Sequence, residues 1–358
     1  MSSSEPRAAG RRFLAVLFAA FALMLAGILA ATALIDPTGL LVGAGWPRGA
    51  CAAGLKDPRS VEVLGARTRL FQPDEILVGS SRVMRGFEDD GFTADGRTRA
   101  ISLGYSGAGM ADIDGMVRDA VAGAPVQRVW IGLDFGAFVL TDRPHYPARG
   151  GGSPAPRRDA ILTGLLSPDA LQATLNVLLH PGLCDAPPYD ARGFANPDAP
   201  LLKGTDPAVL PGPAARSRIL ASWRRGEADR ETLYRRERDR FTRLLAELKR
   251  RDIAVILFVG PTHPAYDRLV TEAGLGDLRA RWRADITRIV DEQGAVLVAA
   301  DWPDFLDGLP DRPVGCDVHA VDCAFYDATH FRPFVGAAIA REGRREGDRG
   351  QGSSSMSQ

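Results

Sequence analysis

The sequence predicts an α/β protein built on a five-stranded parallel sheet and preceded by one membrane-spanning helix. Three observations lead there. Short apolar runs without polar alternation suit strands covered on both faces. Helical stripes of apolar residues lie between those runs, the order of a parallel sheet with helical crossovers. Ahead of them, residues 13–35 form an apolar run of 23 residues without a charge. With 45% hydrophobic and 25% charged residues, the 358-residue chain falls outside the disordered and fibrous classes. Lys+Arg 44 against Asp+Glu 44 leaves no basic excess, which argues against nucleic acid as a partner.

The apolar run comes first. At 1.5 Å rise per residue it covers the roughly 30 Å hydrocarbon core of a bilayer. Arg7, Arg11 and Arg12 precede it, and Asp36, Pro37 and Gly39 close it. The positive-inside rule then puts residues 1–12 in the cytoplasm and everything after Asp36 outside. Ala31-Thr32-Ala33 offers a small-x-small cleavage site, so a cleaved and secreted form is the alternative. The run exceeds the usual signal-peptide core of about 7–15 residues, which favours an uncleaved anchor. The expectation is a single-pass protein of the cytoplasmic membrane with a periplasmic domain.

Residues 36–72 are rich in Gly and Pro and read as a linker with irregular first contacts. The domain proper is expected over 73–340. Its strands are read at 75–79, 99–103, 129–133, 253–259 and 295–299. Residues 110–121 read as a helix. So does 231–251, with Leu233, Phe241, Leu244, Leu245 and Leu248 on one stripe, and a third helix carries Leu278, Trp282, Ile286, Ile289 and Val290. Between the third strand and the 231–251 helix lies an insertion at about 141–228, too long for an ordinary crossover. Within it Ser167 is placed to cap a helix with Pro168 at its first position and Leu171, Leu175 and Leu178 on one face. The insertion reads as a cap facing the substrate. The last residues, 341–358, are low in complexity and are expected to be disordered.

Four cysteines in an extracytoplasmic domain read as disulfides. Cys316 and Cys323 are close enough to bridge a small loop, which leaves Cys51 and Cys184. Three pairings exist, and spacing alone does not choose among them. No CxxC pair is present, and Asp317, His319 and Asp322 match no standard ligand spacing, so neither a metal nor a cofactor is expected.

Two stretches could carry chemistry. Gly79-Ser80-Ser81-Arg82 follows the first strand directly, and strand C-terminal ends are where sites form in parallel sheets. A serine opening a helix there has its own N–H free to stabilise an oxyanion. Asp327-Ala328-Thr329-His330 follows the last strand. An Asp three residues before a His can accept from one imidazole nitrogen and leave the other to take a serine proton. A turn-and-cap reading serves each stretch taken alone. His263, right after the fourth strand, reads either as a substrate contact or as a residue shaping a Pro-rich turn. Arg82 reads either as a ligand for an anionic group or as a partner for Asp134.

Together these stretches resemble the SGNH/GDSL hydrolase superfamily. Gly79-Ser80-Ser81 is similar to its first block, with Ser81 at the nucleophile and Ser80 where the family often has Asp. Leu103-Gly104-Tyr105-Ser106-Gly107 is similar to the second block, which implies an oxyanion-hole N–H on Gly107 beside that of Ser81. Gly132-Leu133-Asp134-Phe135 occupies the third block, where the family places an oxyanion-hole Asn; an ionised Asp134 would repel the oxyanion there. Asp327 and His330 match the last block. The resemblance extends to a membrane-anchored, extracytoplasmic branch of SGNH-like bacterial proteins. It implies a flavodoxin-like three-layer sandwich and a catalytic set of Ser81, His330 and Asp327. It further implies esterase or O-acyltransferase chemistry on a cell-envelope or exported polysaccharide, with no cofactor. The alternative it leaves open is a catalytically impaired module that binds polysaccharide or a membrane acyltransferase partner.

Overall fold

The computed structural model describes residues 5–46, 51, 61–93, 98–140, 146, 157–197, 199, 220, 223, 227–300, 305, 324–327 and 329–354. Helix α1 (Glu5–Ile35) leads, followed by α2 (Leu40–Gly43) and α3 (Val61–Phe71). The α/β part then runs β1 (Glu75–Gly79), α4 (Ser81–Gly86), α5 (Asp90–Thr93), β2 (Ala100–Gly104), α6 (Met110–Gly123), β3 (Arg128–Leu133) and α7 (Phe135–Val139). Helices α8 (Arg157–Leu166) and α9 (Pro168–Leu179) follow, with a 3₁₀ turn at Pro181–Cys184. The chain ends with α10 (Glu227–Arg250), β4 (Ala254–Val259), α11 (Pro264–Glu272), α12 (Gly276–Gln293), β5 (Val296–Val298) and α13 (Pro333–Ser354).

The five strands pair in parallel in the order β2-β1-β3-β4-β5. Every residue of β1 and β2 is buried, as expected for strands without polar alternation. Side chains alternate between two cores. Ile76, Val78, Val129, Ile131 and Leu257 meet α6, α10 and α12 through Ile113, Met116, Phe241, Leu245, Trp282 and Ile286. Leu77, Trp130, Ile256 and Phe258 face Val83 of α4, Phe92 of α5, and Val335 and Ile339 of α13. Both faces of the sheet are therefore covered by helices, and the strand ends stay free for a site.

One close approach seats α4 over the sheet. A Cβ on Gly104 would lie 2.4 Å from the backbone nitrogen of Met84, so only glycine fits at the end of β2.

Two expectations are corrected. The approach at 36–72 is not all irregular, because α2 and α3 form there: Val63, Ala66 and Leu70 share one helical face and pack on Leu40 and Ala160. The terminal segment expected to be disordered is helical through Ser354. Val335, Ile339 and Gly343 repeat every four residues, and a Cβ on Gly343 would already touch Trp130 and Ile256. Arg344 donates to the buried Glu75 at 3.2 Å and to the Phe92 carbonyl at 3.0 Å. Charged residues that look like a solvated tail thus anchor a helix on the sheet.

Of the insertion, α8, α9 and residues up to 197 and 199 are described. Helices α8 and α9 pack beside the last turn of α1: Thr174 Oγ1 donates to Thr32 Oγ1 at 3.0 Å, and Thr32 is fully buried. The residues after them lie along β2 and α5, where Ser102 donates its N–H to the Arg192 carbonyl at 2.9 Å and Phe194 stacks on Phe92. Cys51 and Cys184 are disulfide-bonded across 133 residues, which settles that pairing. Cys316, Cys323, Asp317, His319 and Asp322 lie outside the described residues. A bridge closing so long a loop restricts the unfolded chain strongly, so Cys51→Ser is expected to lower unfolding stability by about 2–5 kcal/mol. Denaturant titration of the two oxidised chains checks this, and coincident midpoints would contradict it.

Candidate active site

Ser81 sits at the first turn of α4, immediately beyond the carboxyl end of β1. Ser80 caps that helix: its Oγ accepts from the N–H of Arg82 at 3.3 Å. The cap aims α4 so that Ser81 is only half-buried, and the Ser81 N–H has no protein acceptor among the described residues. Such a free N–H at a helix start is suited to hold negative charge.

Asp327 and His330 are delivered by a tight turn. Phe325 and Phe331 form an antiparallel bridge, Tyr326 donates its N–H to the His330 carbonyl at 2.9 Å, and Arg332 does the same to Ala324 at 2.9 Å. Phe331 is fully buried under α4 and anchors the turn in the second core. Inside the turn, Asp327 Oδ1 accepts the N–H groups of Thr329 and His330, both at 2.8 Å, and the Thr329 hydroxyl at 2.9 Å. The other carboxylate oxygen, Oδ2, lies 2.6 Å from His330 Nδ1.

The geometry closes on Ser81. His330 Nε2 is 2.8 Å from Ser81 Oγ, although the two residues are 249 positions apart. A carboxylate can only accept, so Nδ1 carries the proton given to Asp327, and Nε2 is left to accept from the Ser81 hydroxyl. Burial opposes ionisation of Asp327. The bond and charge of His330, with the N–H groups of Thr329 and His330, outweigh it and hold the carboxyl well below its ordinary range. An anion fixed behind the imidazole stabilises the imidazolium that forms when Nε2 takes a proton.

The other expected residues divide. Gly107 follows β2 with φ of 75°, a left-handed conformation that favours glycine, and its N–H has no protein acceptor among the described residues. Asp134 is tied down rather than presented as a donor. Its Oδ1 is 2.9 Å from Arg82 Nη1, and its Oδ2 accepts a hydrogen bond from Ser80 Oγ. Arg82 takes the role of ion-pair partner, with its guanidinium also 5.5 Å from the Tyr266 ring centroid and donating to the Gly260 carbonyl. The position expected to add an oxyanion donor therefore holds an acceptor engaged by its neighbours. A small cavity lined by Arg82, Tyr266, Arg279 and Trp282 adjoins this pair; Ser81 and His330 do not line it.

His263 caps α11, with Nδ1 accepting the N–H of Ala265 at 3.1 Å and its ring edge-on to Phe325. The turn-shaping reading fits this geometry. Burial, then the nearby Arg268, lowers its pKa from the ordinary value of 6.5. A histidine held neutral in the fold loses its contribution as pH falls from its unfolded value toward the lower folded one. Stability from this cap is thus complete above about pH 6.5 and declines below it. His263→Asn keeps a cap acceptor without titrating, and should reduce the shift in melting temperature between about pH 7.5 and about pH 5.5. An undiminished shift would assign the pH dependence elsewhere.

Sequence reasoning passed over Thr329, which bonds both Asp327 and, at 3.1 Å, His330 Nδ1. Its signal was present: an Asp followed two residues later by Thr is the pattern of an Asx turn, whose carboxylate accepts the N–H two residues on. Ser80 was seen as a departure from a family block, but its service as helix cap and as Asp134 partner was not.

Fold and site together define a class: an α/β protein with a five-stranded parallel sheet whose strand ends gather a Ser–His–Asp hydrogen-bond chain. Comparison with protein-family models finds no match, and comparison with curated proteins finds none either. One described helix segment, Gly10–Ile35, is long and apolar enough to cross a membrane.

Proposed function

We propose that the chain is a serine-dependent esterase or O-acyltransferase of SGNH type, held in the cytoplasmic membrane by α1 with its α/β domain outside. The observation that carries this reading is the 2.8 Å contact between His330 Nε2 and Ser81 Oγ, backed by Asp327 at 2.6 Å from Nδ1. The strand order and the helices on both sheet faces support a flavodoxin-like three-layer sandwich, and the basic residues ahead of α1 support the orientation.

In the reaction, Ser81 Oγ attacks an ester carbonyl while His330 Nε2 takes its proton. The N–H groups of Ser81 and Gly107 receive the oxyanion. His330 then protonates the leaving alcohol, and an acyl-Ser81 remains. Water, deprotonated by His330, completes hydrolysis; a sugar hydroxyl in the same place completes transfer. Asp134 stays paired with Arg82 and donates nothing. Losing one oxyanion donor costs about 100- to 1000-fold in rate, which slows such an enzyme without abolishing its mechanism. An outward-facing anchored domain suits acetyl esters on a cell-envelope or exported polysaccharide, with a membrane acyltransferase as the source of acyl groups.

The engagement of Asp134 favours one second reading, a catalytically impaired module that binds polysaccharide or the acyltransferase. Acetate release from an O-acetylated polysaccharide by the detergent-solubilised full chain separates the two. Release above the level of Ser81→Ala supports the enzyme. Binding without release supports the module.

A further inference from the structure

We propose that the consecutive helices α8 and α9 lie on the outer surface of the membrane that α1 crosses, with their leucine face buried among the lipids. The inference rests on the anchor reading of α1 and adds a second, monotopic contact to it. Helix α8 exposes Leu162 and Leu166, one turn apart, at 49% and 43%. Helix α9 exposes Leu175, Leu178 and Leu179 at 56%, 59% and 64%, and the turn after it exposes Leu183 at 45%. Positions 175, 178 and 179 share one helical face. Scattered apolar residues on a surface are ordinary; six leucines on two packed helices and their continuation are not.

The packing of this helix pair is inverted relative to a water-facing one. Its buried residues are small: Ala160 and Gly164 in α8, Ala170, Ala173 and Thr174 in α9. Of its large residues, Ile161 and Val177 pack inward, while the six leucines named above point outward. A helix in water hides its leucines, whereas helices in lipid pack through small residues and turn large apolar side chains toward the acyl chains.

The helix pair is also held where a bilayer surface would be. Helix segment Gly10–Ile35 has 26 residues, about 39 Å at 1.5 Å each, against roughly 30 Å of hydrocarbon. Its last turn therefore reaches the headgroups. That turn carries Thr32, bonded to Thr174 of α9, and Ile35, which packs with Val177, Cys51 and Cys184. The disulfide of Cys184 with Cys51 ties the far end of α9 to the same place. Leu34, at 71% exposed, extends the apolar surface of α1 to the level of the helix pair. The occupant of the leucine face is therefore the lipid that already surrounds α1.

The test uses the full chain in vesicles of phosphatidylcholine and phosphatidylglycerol, with a polarity-sensitive nitrobenzoxadiazole probe on Leu178→Cys. Leu23→Cys in α1 and Arg250→Cys at the exposed end of α10 carry the same probe, and the unsubstituted chain sets the labelling background. The expected result is a blue-shifted emission at 178 that is lost to nitroxides placed near the headgroups, while the probe at 250 is unaffected. A probe at 178 that behaves like the one at 250, with the probe at 23 quenched by deep nitroxides, overturns the proposal and leaves the anchor standing; the leucine face then belongs to a protein partner. An unquenched probe at 23 removes the anchor and this inference together.

Discussion

Ser81→Ala is expected to lower ester turnover at least about 10⁴-fold while leaving the melting temperature nearly unchanged. The hydroxyl is the only group in the Ser81–His330–Asp327 chain that can form the acyl bond, and without it only the N–H groups and substrate binding remain. Ser81 is half-buried, and among the described residues its side chain bonds His330 alone, so its removal disturbs the fold little. His330→Ala should cost a similar factor, because Nε2 is the proton acceptor that Ser81 Oγ meets among the described residues. The two losses should not multiply. Residues that act as one unit lose nearly all of their contribution when any one member is removed. A double variant much slower than either single one would mean that Ser81 and His330 act separately.

Arg82→Met is expected to destabilise the fold by about 3–5 kcal/mol, the usual cost of leaving one member of a buried ion pair without its partner. The side chains of Arg82 and Asp134 are only 10% and 15% exposed, so water replaces only part of what is lost. Ser80 still donates to Asp134, but one hydroxyl does not neutralise a carboxylate. Arg82→Met combined with Asp134→Asn should recover most of the stability, since removing both charges also removes the unpaired one. Unfolding of the three variants by denaturant measures the coupling. A loss below about 1 kcal/mol in Arg82→Met would show that Asp134 is not held as a charged, structural group.

The parts of this molecule legible in its sequence are those governed by local pattern. The run from Ile76 to Val78 has no polar alternation, and it is buried on both sides. Ser81 after a strand and Asp327 three residues before His330 are local arrangements, and the turn geometry that joins Asp327 to His330 is local as well. What the residues could not announce are contacts made across the fold. Arg82 and Asp134 are 52 positions apart, and either of two roles for Arg82 was compatible with its neighbours in the chain. The helix through Ser354 depends on Arg344 reaching Glu75, 269 positions away, and its composition resembles a solvated tail. The leucines of α9 show a third kind of limit. Periodicity groups Leu175 and Leu178 on one face, but it does not say which medium that face meets, and the structure turns it outward. Asp134 belongs with these cases: its placement at a strand end was readable, while its engagement by Ser80 and Arg82 was not.

The most direct test of the account is the intact mass and peptide map of the folded full chain after exposure to a fluorophosphonate, which captures a serine activated by a neighbouring base. The expected result is a single phosphonyl adduct on Ser81, absent from Ser81→Ala and strongly reduced in His330→Ala. A folded chain that stays unmodified, or that carries its adduct on any other residue, would contradict it.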